Sequence, residues 1–259
     1  MYGAVAIAAT GLQKQQQRMD SIAHNVSNVN TAGFKKNRLD FKDAMYTAGI
    51  YPARPRYADG NLQKGNGVQT AGTAKTFSQG IMQDTGRTLD AAIEGEGFFS
   101  LQNANGETVY TRVGNFDIAV DQDGPDRWLV DGNGYWVLDE NGERIQIPED
   151  TTSIEIDEEG VIAFTVGDEK ILTTLGIFTF RNVMGLESVG DSVYAVTEAS
   201  GERLPADNMK VRQGAIEGSN VNLAEEMTRL IRTQRAFSLA SRALTTADEM
   251  ERIANDMRR

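Results

Sequence analysis

Residues 5–29 read VAIAATGLQKQQQRMDSIAHNVSNV, and within them Val5, Ala8, Leu12, Gln15, Met19, Ile22, Val26 and Val29 recur every three or four positions. That period lays one stripe along one side of a single long helix, interrupted by the polar Gln15. The helix should stop in the stretch Asn25 to Asn30, before Thr31-Ala32-Gly33. Asn and Gly tolerate the left-handed backbone that closes a helix. A shorter helical stretch is expected to follow, around Arg38 to Tyr46.

The other end of the chain carries a matching signal. Asn222 can cap a helix, with Glu225 three residues on to complete a capping box. Behind it Leu223, Met227, Leu230, Gln234, Phe237, Ala240, Leu244, Ala247, Met250 and Met257 keep largely the same spacing. The predicted helix runs from about Leu223 nearly to the end, and again one glutamine sits in its stripe.

Between these ends the composition changes. All five prolines lie between Pro52 and Pro205, so both ends lack the strongest helix breaker. Residues 1–51 carry net +3, residues 206–259 net +1 and the centre net −15, giving −11 over the 259 residues. Runs such as Gly97-Phe98-Phe99-Ser100-Leu101 and Gly160-Val161-Ile162-Ala163-Phe164 alternate with Asn105-Gly106, Asp123-Gly124, Asp131-Gly132 and Asn141-Gly142. Those dipeptides favour tight hairpins, which predicts antiparallel β-structure.

The expected class is α+β. Long N- and C-terminal helices pair as a coiled-coil-like domain, and a central antiparallel β-domain lies between them in the sequence. Four segments follow: 1–46, the first helix and its turn; 47–90, an extended connection with some β-structure; 91–205, the β-domain; and 206–259, a return segment and the second helix.

Composition also excludes. A chain this acidic lacks the cationic face that a general nucleic-acid binder needs. With no cysteine, it has no disulfide, thiolate–zinc site or cysteine nucleophile. His24 is the only histidine, which leaves little room for a serine triad or a histidine-rich metal site. No cofactor is expected. No run approaches the roughly 18 apolar residues of a membrane span, and no basic region precedes the first apolar stretch. Neither membrane insertion nor a cleavable signal is expected.

A helix with so thin a stripe is not self-sufficient. Burying a large apolar side chain gives roughly 1.5–3 kcal/mol, whereas ordering the backbone costs about 1–2 kcal/mol per residue. The helix therefore needs a partner, either the other end of the same chain or a neighbouring copy.

The stretch from Met19 to Lys35, containing Asn25, Asn28, Thr31, Gly33 and Phe34, resembles the N-terminal signature of bacterial flagellar rod and hook proteins. The resemblance continues at Gly95-Glu96-Gly97-Phe98-Phe99 and at Tyr110-Thr111-Arg112-Val113-Gly114-Asn115-Phe116. It resumes at Glu217-Gly218-Ser219-Asn220-Val221-Asn222 and at Gln234-Arg235-Ala236-Phe237. The blocks occur in family order over nearly the whole chain. Length and the segments 60–68 and 77–80 resemble the distal-rod branch; a proximal-rod or hook-type branch is the alternative.

The resemblance implies a structural subunit, not an enzyme, that polymerises helically into a hollow shaft transmitting torque and conducting exported subunits. It implies an inner tube built from terminal helices, with the β-domains outside. The interface residues would be Val5, Leu12, Gln15, Met19, Ile22, Val26 and Val29 on one helix, and Leu223, Met227, Leu230, Gln234, Phe237, Leu244 and Met250 on the other. Implied partners are copies of itself, adjoining rod and hook subunits, the flagellar export apparatus and bushing-ring proteins. The implied location is the basal body outside the inner membrane, in the periplasm of a two-membrane cell, reached by type III export without signal cleavage.

Other signals read more simply. Asp121-Gln122-Asp123-Gly124 and Asp131-Gly132-Asn133-Gly134 do not fit a calcium-binding EF-hand and read as hairpin turns. Gly95-x-Gly97 lacks the third glycine of a dinucleotide site. Glu94/Glu96 and Glu158/Glu159 could in principle serve a carboxylate-based peptidoglycan hydrolase, but dense charge reads as solvated surface. Lys35, Lys36, Arg38 and Lys42 read as a solvated or partner-facing loop.

Overall fold

The computed structural model describes residues 2–44, 47–48, 63–64, 67–120, 126–206 and 209–257, without the side chains of 2–6, 47, 48, 63, 64, 251, 254 and 255. The chain divides into two compact units. One comprises Met1–Ser27, Asn37–Ala74 and Asn222–Arg259; the other comprises Asn28–Lys36 and Lys75–Val221.

The first unit is helical. Helix α1 spans Tyr2–Ser27 and α2 spans Leu223–Asp256, and the two pack against each other. Asn222 starts α2: its Oδ1 accepts the N–H groups of Ala224 and Glu225 at 3.1 and 3.2 Å. Such a cap contributes about 1 kcal/mol by satisfying donors with no partner inside the helix.

The stretch around Arg38 to Tyr46 is not helical where it is described. Asn37–Asp43 is a strand that pairs with the strand Val68–Lys75. Leu39 and Phe41 are half-buried between the exposed Arg38 and Lys42. The pairing with Val68–Lys75 holds these residues extended, and helix propensity over so few residues is too weak to oppose it. Tyr46 lies outside the described residues.

The second unit is antiparallel β. Phe98–Gln102 is central to its largest sheet, pairing with Thr108–Thr111, Trp136–Val137 and Ile177–Phe180. A second sheet runs Thr151–Ile156, Val161–Val166, Glu169–Thr174. Phe99, Leu101, Phe116, Ile147, Ile162 and Phe164 are buried in one apolar core. An aromatic cluster of Phe98, Tyr110, Phe178, Phe180 and Tyr194 forms a second, with Tyr110 and Phe180 edge-to-face at 4.8 Å.

The hairpin at Asp131 shows how these turns close. Gly134, not Gly132, takes the left-handed conformation, at φ 84°, and donates its N–H to Asp131 O at 3.0 Å. Asp131 Oδ1 accepts the N–H groups of Asn133 and Tyr135. Its carboxylate is thus engaged by its own turn. The similar stretch at Asp121 lies outside the described residues.

Two short ladders complete the unit. Ala91–Gly95 pairs with Met209–Gln213, and Met82–Asp84 pairs with Ala215–Glu217. The second ladder fixes where Glu217 enters the interior.

Candidate functional site

Helix α1 gives way to a turn in which Thr31 donates its N–H to Asn28 O at 3.2 Å and its hydroxyl to Asn28 Oδ1 at 3.1 Å. Gly33 follows in the left-handed region at φ 62° and donates its N–H to Glu217 O at 2.7 Å. Phe34 is buried, and its carbonyl accepts the Asn220 N–H at 3.3 Å. Asn220 Oδ1 accepts the Lys36 N–H at 2.8 Å, while its Nδ2 donates to Thr76 O and Ser78 O at 2.7 and 3.0 Å. One amide thus joins three stretches of chain.

At the centre of this junction lies a buried charge cluster. Lys35 Nζ sits 2.6 Å from Glu217 Oε1 and donates to Ser78 O at 2.9 Å. Arg112 Nη1 lies 3.3 Å from Glu217 Oε2, and its Nη2 donates to Gly95 O at 2.8 Å. The Gly80 N–H adds a further bond to Glu217 Oε1 at 2.6 Å. Lys35 and Glu217 are fully buried, and Arg112 nearly so.

Burial pushes the Lys35 ammonium below its usual range; Glu217 offsets this, and Arg112 lowers it further. Burial likewise lowers Arg112, against the pull of Glu217. Lys35 is therefore not the solvated or partner-facing group that its sequence neighbours suggest. Lys36 is half-buried, whereas Arg38 and Lys42 are exposed. Sequence reading also gave Arg112 and Glu217 no role, although both lie in quoted motifs.

In the helical unit, Asn25 is buried and does a similar joining task. Its side chain exchanges two hydrogen bonds of 2.9 Å with the Asn37 backbone, and Nδ2 also lies 3.2 Å from Glu226 Oε2. The side chain thereby links α1, the strand Asn37–Asp43 and α2. Exposed His24 lies beside it, with Nδ1 3.3 Å from Asn37 Nδ2.

The helix stripes divide by burial. Ile22 is buried, while Leu12, Gln15, Met19 and Val26 on α1 and Leu230, Phe237 and Leu244 on α2 are half-buried. Val29, just beyond α1, is half-buried in the β unit. Leu223, Met227, Gln234 and Met250 are exposed. The side chain of Val5 lies outside the described residues. Ile231, Leu239, Ile253 and Met257 add further exposed apolar groups along α2. Of the remaining motif residues, Ser219 and Val221 are buried.

The carboxylate pairs do not form a reactive site. Glu94, Glu96, Glu158 and Glu159 are exposed, and Glu158 Oε2 pairs with Lys210 at 2.5 Å. A glycosidase needs one carboxyl group shielded enough to keep its proton, which no exposed pair supplies.

Comparison with known proteins follows the same segments. Residues 6–35 match the model of the flagella basal body rod protein, residues 92–164 the flagellar hook protein FlgE/F/G D1 domain, and residues 212–257 the flagellar basal body rod FlgEFG protein C-terminal. Lys35, Arg112 and Glu217 each fall in a different one of these spans. The chain is similar to the flagellar basal-body rod protein FlgG of Buchnera aphidicola subsp. Acyrthosiphon pisum, with 38% identity over 94% of this chain and 95% of the relative. FlgG of Borreliella burgdorferi shares 38% over the whole of both chains. FlgG of Agrobacterium fabrum shares 37% over 97% of this chain and 98% of the relative.

Proposed function

Since the chain belongs to the flagellar basal-body rod protein family, a family of structural subunits, we propose that it assembles through its terminal helices into the distal part of the rod. The observation that carries this reading is the apolar surface of α2. Leu223, Met227 and Ile231 are exposed at steps of four residues, and Leu239, Met250, Ile253 and Met257 continue the exposure toward the end of the helix. Steps of four place neighbours on one helix face, and an exposed apolar row of that kind favours burial against another helix.

In this reading α1 and α2 of neighbouring copies form a coiled-coil-like inner tube. Gln15 and Gln234 set its register, and the β-domain lies outside it. The tube transmits torque and conducts exported subunits. Similarity to FlgG relatives over nearly the full chain supports the distal position over a proximal-rod or hook-type one. Adjoining rod and hook subunits, the export apparatus and bushing-ring proteins are the proposed partners. The proposed place is the basal body outside the inner membrane, reached by type III export without cleavage. No described helix is long and apolar enough to cross a membrane.

Electron microscopy of the concentrated full-length chain tests the proposal. The wild type should form helical filaments, and Leu223→Glu/Met227→Glu/Ile231→Glu should remain monomeric with unchanged far-ultraviolet circular dichroism. Equal filament formation by both chains, or none by the wild type at any concentration, would refute it.

A further inference from the structure

Within the helical unit, α1, the strand Asn37–Asp43 and α2 enclose an open cleft of about 450 Å³. Four guanidinium groups line it, from Arg18, Arg38, Arg229 and Arg232, against the two carboxylates of Asp40 and Glu226. We propose that this cleft receives carboxylate side chains from the acidic 52–205 region of a second copy of this chain. The inference rests on the polymer reading and deepens it by assigning one interface its partner and its chemistry.

The cleft is built and already partly neutralised. Its floor includes the buried Glu226, bonded to Asn25 and 3.5 Å from Arg229 Nη1. Arg229 Nη2 also meets Glu225 Oε1 at 2.6 Å, and Arg38 Nη2 meets Asp40 Oδ2 at 2.9 Å. Arg18 lies over the Phe41 ring at 5.4 Å. Among the described residues, neither Arg18 nor Arg232 has a carboxylate partner. Guanidinium groups stay charged across the physiological range and present paired donors that match a carboxylate.

The source of the missing carboxylates follows from the charge distribution. The chain carries −11 overall and −15 between residues 52 and 205, while both ends carry a net positive charge. In a polymer of identical subunits, ends of net positive charge and a centre of net −15 are complementary regions present in equal number. Such complementarity selects partner and register more than it adds affinity.

The test exploits a substitution that keeps the charge. Arg232→Lys presents an amine that a carbodiimide couples directly to a carboxylate in contact with it. Filaments grown from an equal mixture of ¹⁵N-labelled and unlabelled Arg232→Lys chains should yield isotope-mixed peptides joining Lys at 232 to an acidic residue within 52–205. The Arg18→Glu/Arg232→Glu chain should need at least tenfold more protein to assemble, while keeping its circular dichroism. Filaments that couple position 232 only within one chain, only to acids of the helical ends, or not at all would overturn the proposal and leave the polymer reading intact. Inorganic phosphate bound by the unassembled chain and retained in filaments would assign the cleft to a small anion instead. Failure of both the wild type and Arg232→Lys to form filaments would remove the polymer reading, and this inference with it.

Discussion

Lys35 Nζ and Glu217 Oε1 lie 2.6 Å apart in the interior, although 182 residues separate them in the chain. The contact ties the turn Asn28–Lys36 to the strand Ala215–Glu217, so two segments far apart in the sequence are fixed within one β unit.

Glu217 is shared by two cations and the Gly80 N–H, so losing it should cost more than losing Lys35. Glu217→Gln removes the carboxylate that pairs with both buried cations, and breaking such a pair costs about 3–5 kcal/mol. Lys35→Met leaves Glu217 bonded to Arg112 and Gly80, with an expected cost of about 1–3 kcal/mol. Urea unfolding of the two variants checks the order. Equal losses would mean that Arg112 contributes nothing to holding Glu217.

The depressed Lys35 pKa gives a pH dependence of definite sign. The native chain holds this proton less tightly than the unfolded chain, whose lysine titrates near 10.5. Between the lowered native value and 10.5 the unfolded chain binds more protons, so the contribution of this group to stability rises with pH through that window. Lys35→Arg keeps its charge throughout and serves as the reference. The stability of the wild type minus that of Lys35→Arg should increase as the pH rises toward 10.5. A difference that falls with pH would show that Glu217 dominates over burial.

Gly33 combines a left-handed backbone with close packing. A Cβ there would stand 2.5 Å from Val113 Cγ2, and the φ of 62° penalises any L side chain by about 1–2 kcal/mol. Gly33→Ala should therefore destabilise by about 2–4 kcal/mol once the overpacking is added. Adding Val113→Ala should recover the part due to Cγ2 and leave the left-handed backbone and the tight approach to Val113 N at 3.1 Å, a separation that thermal unfolding of the single and double variants measures.

What the sequence revealed and what it hid follow from range. The Asn222 cap acts on residues two and three positions away, and the α1 stripe repeats over about six turns, so both are written locally. The strand Asn37–Asp43 is not, because its partner Val68–Lys75 comes 25 or more residues later and its length suits either state. Lys35 is harder still. A lysine followed by Lys36, Arg38 and Lys42 reads as surface, and only the arrival of Glu217 and Arg112 makes its burial tolerable. Glycine-closed turns such as the one at Asp131 were visible as turns, but which glycine takes the left-handed angle depended on the turn's own hydrogen bonds. The apolar groups of α2 show the same limit in another form. Periodicity gave a stripe, whereas burial splits it into Leu230, Phe237 and Leu244 on the covered side and Leu223, Met227 and Met250 in solvent.

Gln15 offers the sharpest separation between stability and assembly. Among the described residues its Oε1 is buried without a hydrogen-bond partner, a state that typically costs about 1–3 kcal/mol. Leucine at this position removes the unsatisfied acceptor and suits the apolar stripe, so Gln15→Leu should raise the stability of the isolated chain by about 1 kcal/mol. A single polar residue in a helix stripe also restricts how neighbouring helices register, at the expense of stability. The same variant should therefore give filaments of less uniform helical order, read from the layer lines of their diffraction. A stabilised chain with unchanged filament order would confine Gln15 to the intramolecular packing of α1, and an unstabilised chain would mean that the leucine side chain does not fit the space left by the amide.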